Sequence, residues 1–206
     1  MPQSRRYKKK KSAGKAILAW IIVLAILAAA AFVFVSVFYE DTKKKLDEMN
    51  YPRTYSTYVE KAAKDYDLDP ALIYAVIHTE SGFDPKAESG VGAKGVMQMM
   101  PSSFEWLQEQ RGCAGQYTED DLFDPEICID YGSYLLKYFY DYYGTERSAI
   151  AAYNAGFVVS DWLNDTKYSS DGKNLDSIPY PETENYVDKV EGAKEMYIKL
   201  YYSQSN

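Results

Sequence analysis

The chain has almost none of the residues on which metal-bound or histidine-driven chemistry rests. Its 206 residues include one histidine, His78, and two cysteines, Cys113 and Cys128. A serine–histidine triad needs an imidazole beside its nucleophile, and a structural zinc site needs four ligands, so both are nearly excluded. No metal and no cofactor is expected. Acidic side chains are missing from the first 39 residues. Alternating apolar–polar runs of strand length and internal repeats are missing throughout, which leaves a helical chain.

What is present begins with an apolar run. Ala16 to Val35 is 20 residues without a charge or strong polar group, and Val37-Phe38-Tyr39 extend it past Ser36. At ~1.5 Å per residue such a helix crosses a ~30 Å hydrocarbon layer. Secretory signals have shorter apolar regions. Cleavage near Ala28–Ala31 would also leave AFVFVSVF as an exposed N-terminus, so an uncleaved transmembrane helix over 16–39 is expected. Arg5, Arg6, Lys8, Lys9, Lys10, Lys11 and Lys15 precede it, against Lys43, Lys44 and Lys45 after it. Seven against three keeps residues 1–15 as a cytoplasmic basic tail and puts everything after the span outside. A basic flank beside a membrane helix serves orientation and anionic lipid rather than nucleic acid.

Beyond residue 39 stand 16 basic and 30 acidic residues, a net of −14. A nucleic-acid or teichoic-acid partner held by bulk charge is thereby disfavoured. An uncharged sugar polymer stacking on some of the 21 tyrosines fits better. Cys113 and Cys128, exported together, can close a loop worth ~3 kcal/mol if bridged. They can equally remain two thiols.

Residues 40–54 are charged, end near Pro52, and read as a juxtamembrane helix or linker. From 55 the periodicity is helical over 55–67, 70–81, 102–111, 125–143, 146–156 and 183–203, while 164–181 reads as a polar loop. About 150 residues support one core, so 55–206 is expected to be a single all-α domain. Its most informative helix is 70–81. Asp69 can cap its start, Pro70 suits the first turn, and Gly82 suits a left-handed end. Leu72, Val76 and Glu80 then share one face, extending an apolar stripe with Ile73 and Ile77. Burial and the negative end of the helix dipole both disfavour a charged Glu80, as a general acid near neutral pH requires. His78 points away from that face and reads as a core or surface histidine.

Glu80-Ser81 is followed by Gly92-Ala93-Lys94-Gly95-Val96-Met97-Gln98-Met99-Met100-Pro101, by Ala152-Tyr153-Asn154-Ala155-Gly156, and by Glu182-Thr183-Glu184-Asn185-Tyr186-Val187. This ordered set resembles the catalytic domain of the soluble lytic transglycosylase family over roughly residues 55–202. The resemblance implies a goose-type-lysozyme-like fold and cleavage of peptidoglycan between N-acetylmuramic acid and N-acetylglucosamine. It implies Glu80 as the one catalytic residue, acid first and base second, forming a 1,6-anhydromuramic end. Ser89, Met97, Gln98, Tyr153, Asn154 and Tyr186 would contact substrate or Glu80, with Ser81, Gly92 and Gly95 shaping the backbone nearby. Packing alone accounts for Met99 and Met100.

Asp84 stands where the family often has asparagine, Cys128 where asparagine is common, and Val96 where leucine is usual. Asp84 leaves open a hydrolytic, lysozyme-type muramidase in which it activates water. An anchored peptidoglycan-binding scaffold of weak activity is the other alternative. Placement at an envelope-spanning or secretion machine, a division site or a spore coat is compatible with the anchor, and the sequence does not choose.

Overall fold

The computed structural model describes residues 3–203, with side chains from residue 14 onward. The side chains of Arg5 to Lys11 in the basic tail, and the last three positions of the chain, lie outside the described residues. The chain divides into two units, 1–50 and 51–206.

The first unit is one helix, α1 (Gln3–Asn50). Its described part, Gly14–Asn50, is long and apolar enough to cross a membrane. From Ile17 to Tyr39 every large apolar side chain is exposed. Ser36 donates its hydroxyl to the Phe32 carbonyl at 2.8 Å, and Thr42 does the same to Phe38 at 2.8 Å. A hydroxyl satisfied by its own helix in this way costs little in hydrocarbon. Past residue 40 the helix runs on without a break, with Lys45 on Asp41 at 2.7 Å and Lys44 near Glu48.

The second unit starts at Tyr51, so residues 51–54 belong to the globular part rather than to a linker. Tyr197 and Tyr201 donate hydroxyls to the carbonyls of Pro52 and Tyr51, and Arg53 pairs with Glu60. The helices that follow are α2 (Ser56–Tyr66), α3 (Pro70–Ser81), α4 (Pro101–Gln110), α5 (Pro125–Tyr143), α6 (Glu146–Ala155), α7 (Val159–Asn164) and α8 (Pro181–Tyr197). No strand forms among the described residues; two isolated bridges, Glu88 to Lys94 and Lys94 to Met99, shape a tongue between α3 and α4. The expected all-α class is what the structure shows.

Helix α3 is the axis of the core. The Asp69 carboxylate accepts from the Ala71 N–H at 2.9 Å, Pro70 opens the first turn, and Gly82 closes the last at φ +59°. Ala71 through Ile77 are all at most 1% exposed. The sequence suggested a one-sided stripe. The helix is instead enclosed on every side, by α8 and α2 among others, and each fully buried Leu, Ile or Val contributes about 1.5–3 kcal/mol. Helix α6 packs between α5 and α8, with Ala149, Ile150, Ala151 and Ala152 at zero exposure. Because the small alanines let these helices approach closely, the ends of α3, α6 and α8 meet.

Helix α7 was not legible as a separate element, since six residues carry barely two turns of periodicity. The expected helix 183–203 begins earlier, at Pro181, and loosens into a π turn over Ile198–Tyr202. The polar segment before it lacks regular structure, and Leu175 and Ile178 are buried from it into the core.

Candidate active site

Glu80 occupies the last turn of α3, and Tyr186 lies one turn and a half into α8. The packing of α3 on α8 brings them together: the Tyr186 hydroxyl donates to Glu80 Oε1 at 2.7 Å across 106 positions of sequence. Burial pushes the Glu80 carboxyl up from its ordinary 4.5 to about 7, and the Tyr186 hydroxyl opposes that shift by favouring the carboxylate. No second carboxylate is among the causes of that shift. Asp84 is exposed on the turn after α3, where its Oδ1 accepts from the Lys86 N–H at 2.9 Å. Tyr186 and Tyr153 are themselves held neutral, their pKa values raised by burial first and by the Glu80 charge second.

The tongue that covers this helix end is tied by its own backbone. Ser81 Oγ donates to the Val96 carbonyl at 2.7 Å and accepts from the Phe83 N–H at 3.1 Å, which ties the turn after Glu80 to the tongue. Ser89 Oγ accepts from the N–H groups of Ala93 and Val91, leaving its own proton free to donate. Gly92 adopts φ +87° and Gly95 φ +75°. At Gly95 a Cβ would come 2.0 Å from the Leu122 carbonyl oxygen and 2.9 Å from Cys128 Sγ, so only glycine fits.

Met97 and Gln98, both expected to line the sugar site, turn much of their side chains inward. Met97 is fully buried, its side chain filling the space against Gly132, where an added Cβ would lie 2.5 Å from its sulfur. Its backbone, not its side chain, serves the site: the Met97 carbonyl accepts from the Tyr153 hydroxyl at 3.0 Å. Gln98 turns its side-chain nitrogen inward, donating to the carbonyls of Ala87 at 3.1 Å and Gly95 at 3.0 Å. Only its amide oxygen remains for a ligand. Met100, expected to be packed, is 38% exposed at the start of α4.

The cysteines are not bridged. Cys113 Sγ lies 3.3 Å from the Tyr131 hydroxyl beyond the end of α4. Cys128 is sealed inside, its sulfur accepting from the Met97 N–H at 3.4 Å. Each sulfur is held by a different part of the domain, and burial pushes the Cys128 thiol up to about 12. Cys128 takes the position where the sequence pattern favoured asparagine, and there it supports the tongue. His78 stacks on Tyr51 at 4.8 Å, away from the Glu80–Tyr186 contact.

Asn154 ends α6 exposed, with Oδ1 accepting from the buried Thr183 hydroxyl at 2.8 Å. That bond leaves the amide N–H groups of Asn154 as the free donors. Thr183 was missed as a separate residue although it lies in the segment quoted for Tyr186, three positions earlier. A helix spacing of three, placing both hydroxyls on one face of α8, was the available signal.

An all-helical domain that keeps one carboxylic acid half in its core, at the end of its central helix, has the frame of a lysozyme-like glycan-cleaving fold. Residues 57–175 match the model of the transglycosylase SLT domain, and the chain belongs to that family. It is 32% identical over 146 residues to the soluble lytic murein transglycosylase of Escherichia coli (strain K12), covering 69% of this chain and 23% of that relative. Against membrane-bound lytic murein transglycosylase C of Actinobacillus succinogenes (strain 130Z) it is 30% identical over 170 residues, 72% of this chain and 48% of the relative. The solved lytic transglycosylase Slt of Pseudomonas aeruginosa superposes with a TM-score of 0.65 at 30% identity, covering 74% of this chain and 25% of that one. That structure is of an inactive mutant with glutamine in place of a glutamate. The chain thus spans about a quarter of the length of the first relatives it matches.

Proposed function

We propose that the globular unit is a peptidoglycan lytic transglycosylase and that Glu80 is its acid and then its base. The observation that carries this reading is the Glu80–Tyr186 pair: a carboxyl raised to about 7 is still substantially protonated at neutral pH, and a hydroxyl stands ready for the carboxylate once the proton has left. Glu80 gives its proton to the glycosidic oxygen as the bond from the muramic anomeric carbon breaks. Tyr186 then donates to the new carboxylate in a charge-assisted hydrogen bond. The C6 hydroxyl oxygen of the same muramic residue bonds to the anomeric carbon, and its proton returns to Glu80. No water is consumed, and the new end is 1,6-anhydromuramic.

Pairs of carboxylates serve most glycosidases. Here Asp84 is exposed and engaged at its own turn, which supports the single-acid route over a hydrolytic one. The substrate's N-acetyl group would assist at the anomeric carbon, oriented by the Asn154 amide N–H groups. Tyr153, whose proton goes to Met97, can only accept there. Ser89 and the Gln98 amide oxygen are the polar groups the tongue still offers to sugar. The inactive glutamine mutant of the Pseudomonas aeruginosa relative is in keeping with an essential glutamate.

Helix α1 would hold the enzyme in the cell membrane, N-terminus inside and catalytic domain outside, where peptidoglycan is. Protease added to intact protoplasts should then remove residues beyond about 45. Full-length protein in the medium beginning near Phe32 would overturn the anchor. For the activity, purified sacculi digested with the protein should release fragments with anhydro ends by mass analysis. Reducing ends would make it a muramidase, and release of nothing would make it a binding protein.

A further inference from the structure

One aromatic surface has no part in the site around Glu80. On α5, Tyr138 and Tyr142 are one turn apart with rings 6.3 Å between centroids and 14° from parallel. Trp106 of α4 meets Tyr138 edge-on at 5.1 Å, and Phe157 meets Tyr138 at 6.2 Å and Tyr142 at 5.8 Å, also edge-on. Tyr142 is 58% and Phe157 48% exposed. Along one side runs a shallow hollow of about 340 Å³ that includes Lys137 and Asp141, which pair with each other. Contiguous exposed aromatics on a water-facing helix mark a binding surface more often than a packing accident.

We infer that Tyr138, Tyr142 and Phe157 form a second carbohydrate surface that takes sugar rings of the same glycan strand beyond those at Glu80. The inference rests on the proposed function, and three observations select the occupant. Tyr138 and Tyr142 hold their rings one helical turn apart with centroids 6.3 Å from each other, and the exposed parts of Tyr142 and Phe157 leave apolar ring surface on which a sugar ring can pack. Tyrosine hydroxyls and the Lys137–Asp141 pair supply donors and acceptors at the rim for sugar hydroxyls. Phe157 follows Asn154 by three residues, across the Gly156 helix end, so the surface is continuous in the chain with the candidate site. Charge argues against the other occupant that aromatics favour, an anionic lipid surface. Lys137 is already paired, and the sequence beyond residue 39 carries a net of −14.

The test uses the full chain in mild detergent with Glu80→Gln, so that binding is read without turnover. Retention on purified sacculi should fall about tenfold when Tyr142→Ala and Phe157→Ala are added, equivalent to ~1.4 kcal/mol. Because Phe157 also meets the buried Phe139 at 5.4 Å and Tyr142 the buried Tyr143 at 4.8 Å, retention is compared at a temperature where circular dichroism shows both chains fully folded. As a second measurement that needs no such variant, an N-acetylglucosamine oligomer should change tryptophan fluorescence in the Glu80→Gln chain, and the change should vanish with Trp106→Phe. Equal retention of parent and variant, with no Trp106 signal, overturns the second surface alone. Loss instead of binding to phosphatidylglycerol vesicles, or of a concentration-dependent dimer in sedimentation, assigns the patch to membrane or to self-association and also overturns it. If the parent is not retained at all and the unsubstituted chain releases nothing from sacculi, the proposed function falls and this inference with it.

Discussion

Helices α1 and α3 are both apolar around nearly their whole circumference, yet one exposes that surface and the other hides it. In α1 the large apolar side chains from Ile17 to Tyr39 are all exposed to the surrounding medium. In α3 the seven residues from Ala71 to Ile77 are enclosed by protein. Apolarity therefore does not by itself assign a helix to membrane or core. Length and flanks separate the two: α3 is 12 residues between an aspartate cap and a glycine, too short to span a bilayer, whereas α1 is long enough to do so and has a basic flank. The difference also decides which helix can tune an acid. A carboxyl placed in the last turn of a helix, just past its sealed stretch, is desolvated by fixed protein, in a geometry that lipid does not impose.

The sharpest test of that contrast is Glu80→Gln. Turnover of sacculi should drop roughly 10²–10⁴-fold, since the amide cannot donate the proton; retention of a tenth of the rate would remove Glu80 from its role. The same variant should gain stability at alkaline pH. With a folded pKa of about 7 against an ordinary 4.5, the carboxyl costs stability progressively as pH rises between those values, and the full cost persists above them. Denaturant unfolding should show Glu80→Gln ahead by about 1–3 kcal/mol at pH 8 and level with the parent below pH 4.

Truncations inside each helix separate their environments. Ile73→Ala should destabilise the globular unit by about 2–5 kcal/mol in chemical denaturation, while Leu24→Ala should leave that transition in place. Equal effects would show that the two units do not fold independently.

Finer still is the hydroxyl on Glu80. Tyr186→Phe removes a donor that favours the carboxylate, so the Glu80 pKa rises and the alkaline limb of the pH–rate profile moves up, by about one unit or less. A limb that stays fixed or moves down would show that the hydrogen bond does not tune the acid. Thr183→Val should raise KM about fivefold, the worth of one hydrogen bond, and Thr183→Ser should restore it. Failure of the serine to rescue would mean that Thr183 acts by packing.

The smallest effect is chemical. Without reductant, Cys113 should label with a thiol reagent and Cys128 should not until the protein unfolds, as read by mass spectrometry. A native protein that labels only after reduction would restore the bridge.

The ends of α3 were legible because Asp69, Pro70 and Gly82 act through their own backbone, within a turn of where they stand. The Glu80–Tyr186 contact was not legible from spacing, because nothing local joins positions 106 apart; only the resemblance of ordered segments brought them together. Side-chain direction was the part most often missed. The Met97 side chain and the Gln98 side-chain nitrogen face inward, because tongue closure needs the Gln98 donors and α5 needs the Met97 volume. Cys128 and Cys113 likewise depend on which way α5 is rotated, and composition carries no information on that. The surface pair Lys137–Asp141, by contrast, follows from a spacing of four.

On the proposed function, the inward turn of the Gln98 side-chain nitrogen also bears on how a glycan would be gripped. Its φ is +45°, a backbone state seldom adopted by residues with side chains, and two side-chain hydrogen bonds hold it there. These bonds hold the tongue in its shape without a ligand. On the proposed function, a glycan strand would lose freedom on binding there while the protein on that side would lose little more. Selection would then fall on the substrate's geometry, because a strand segment that did not match the tongue would find no loop to adjust to it.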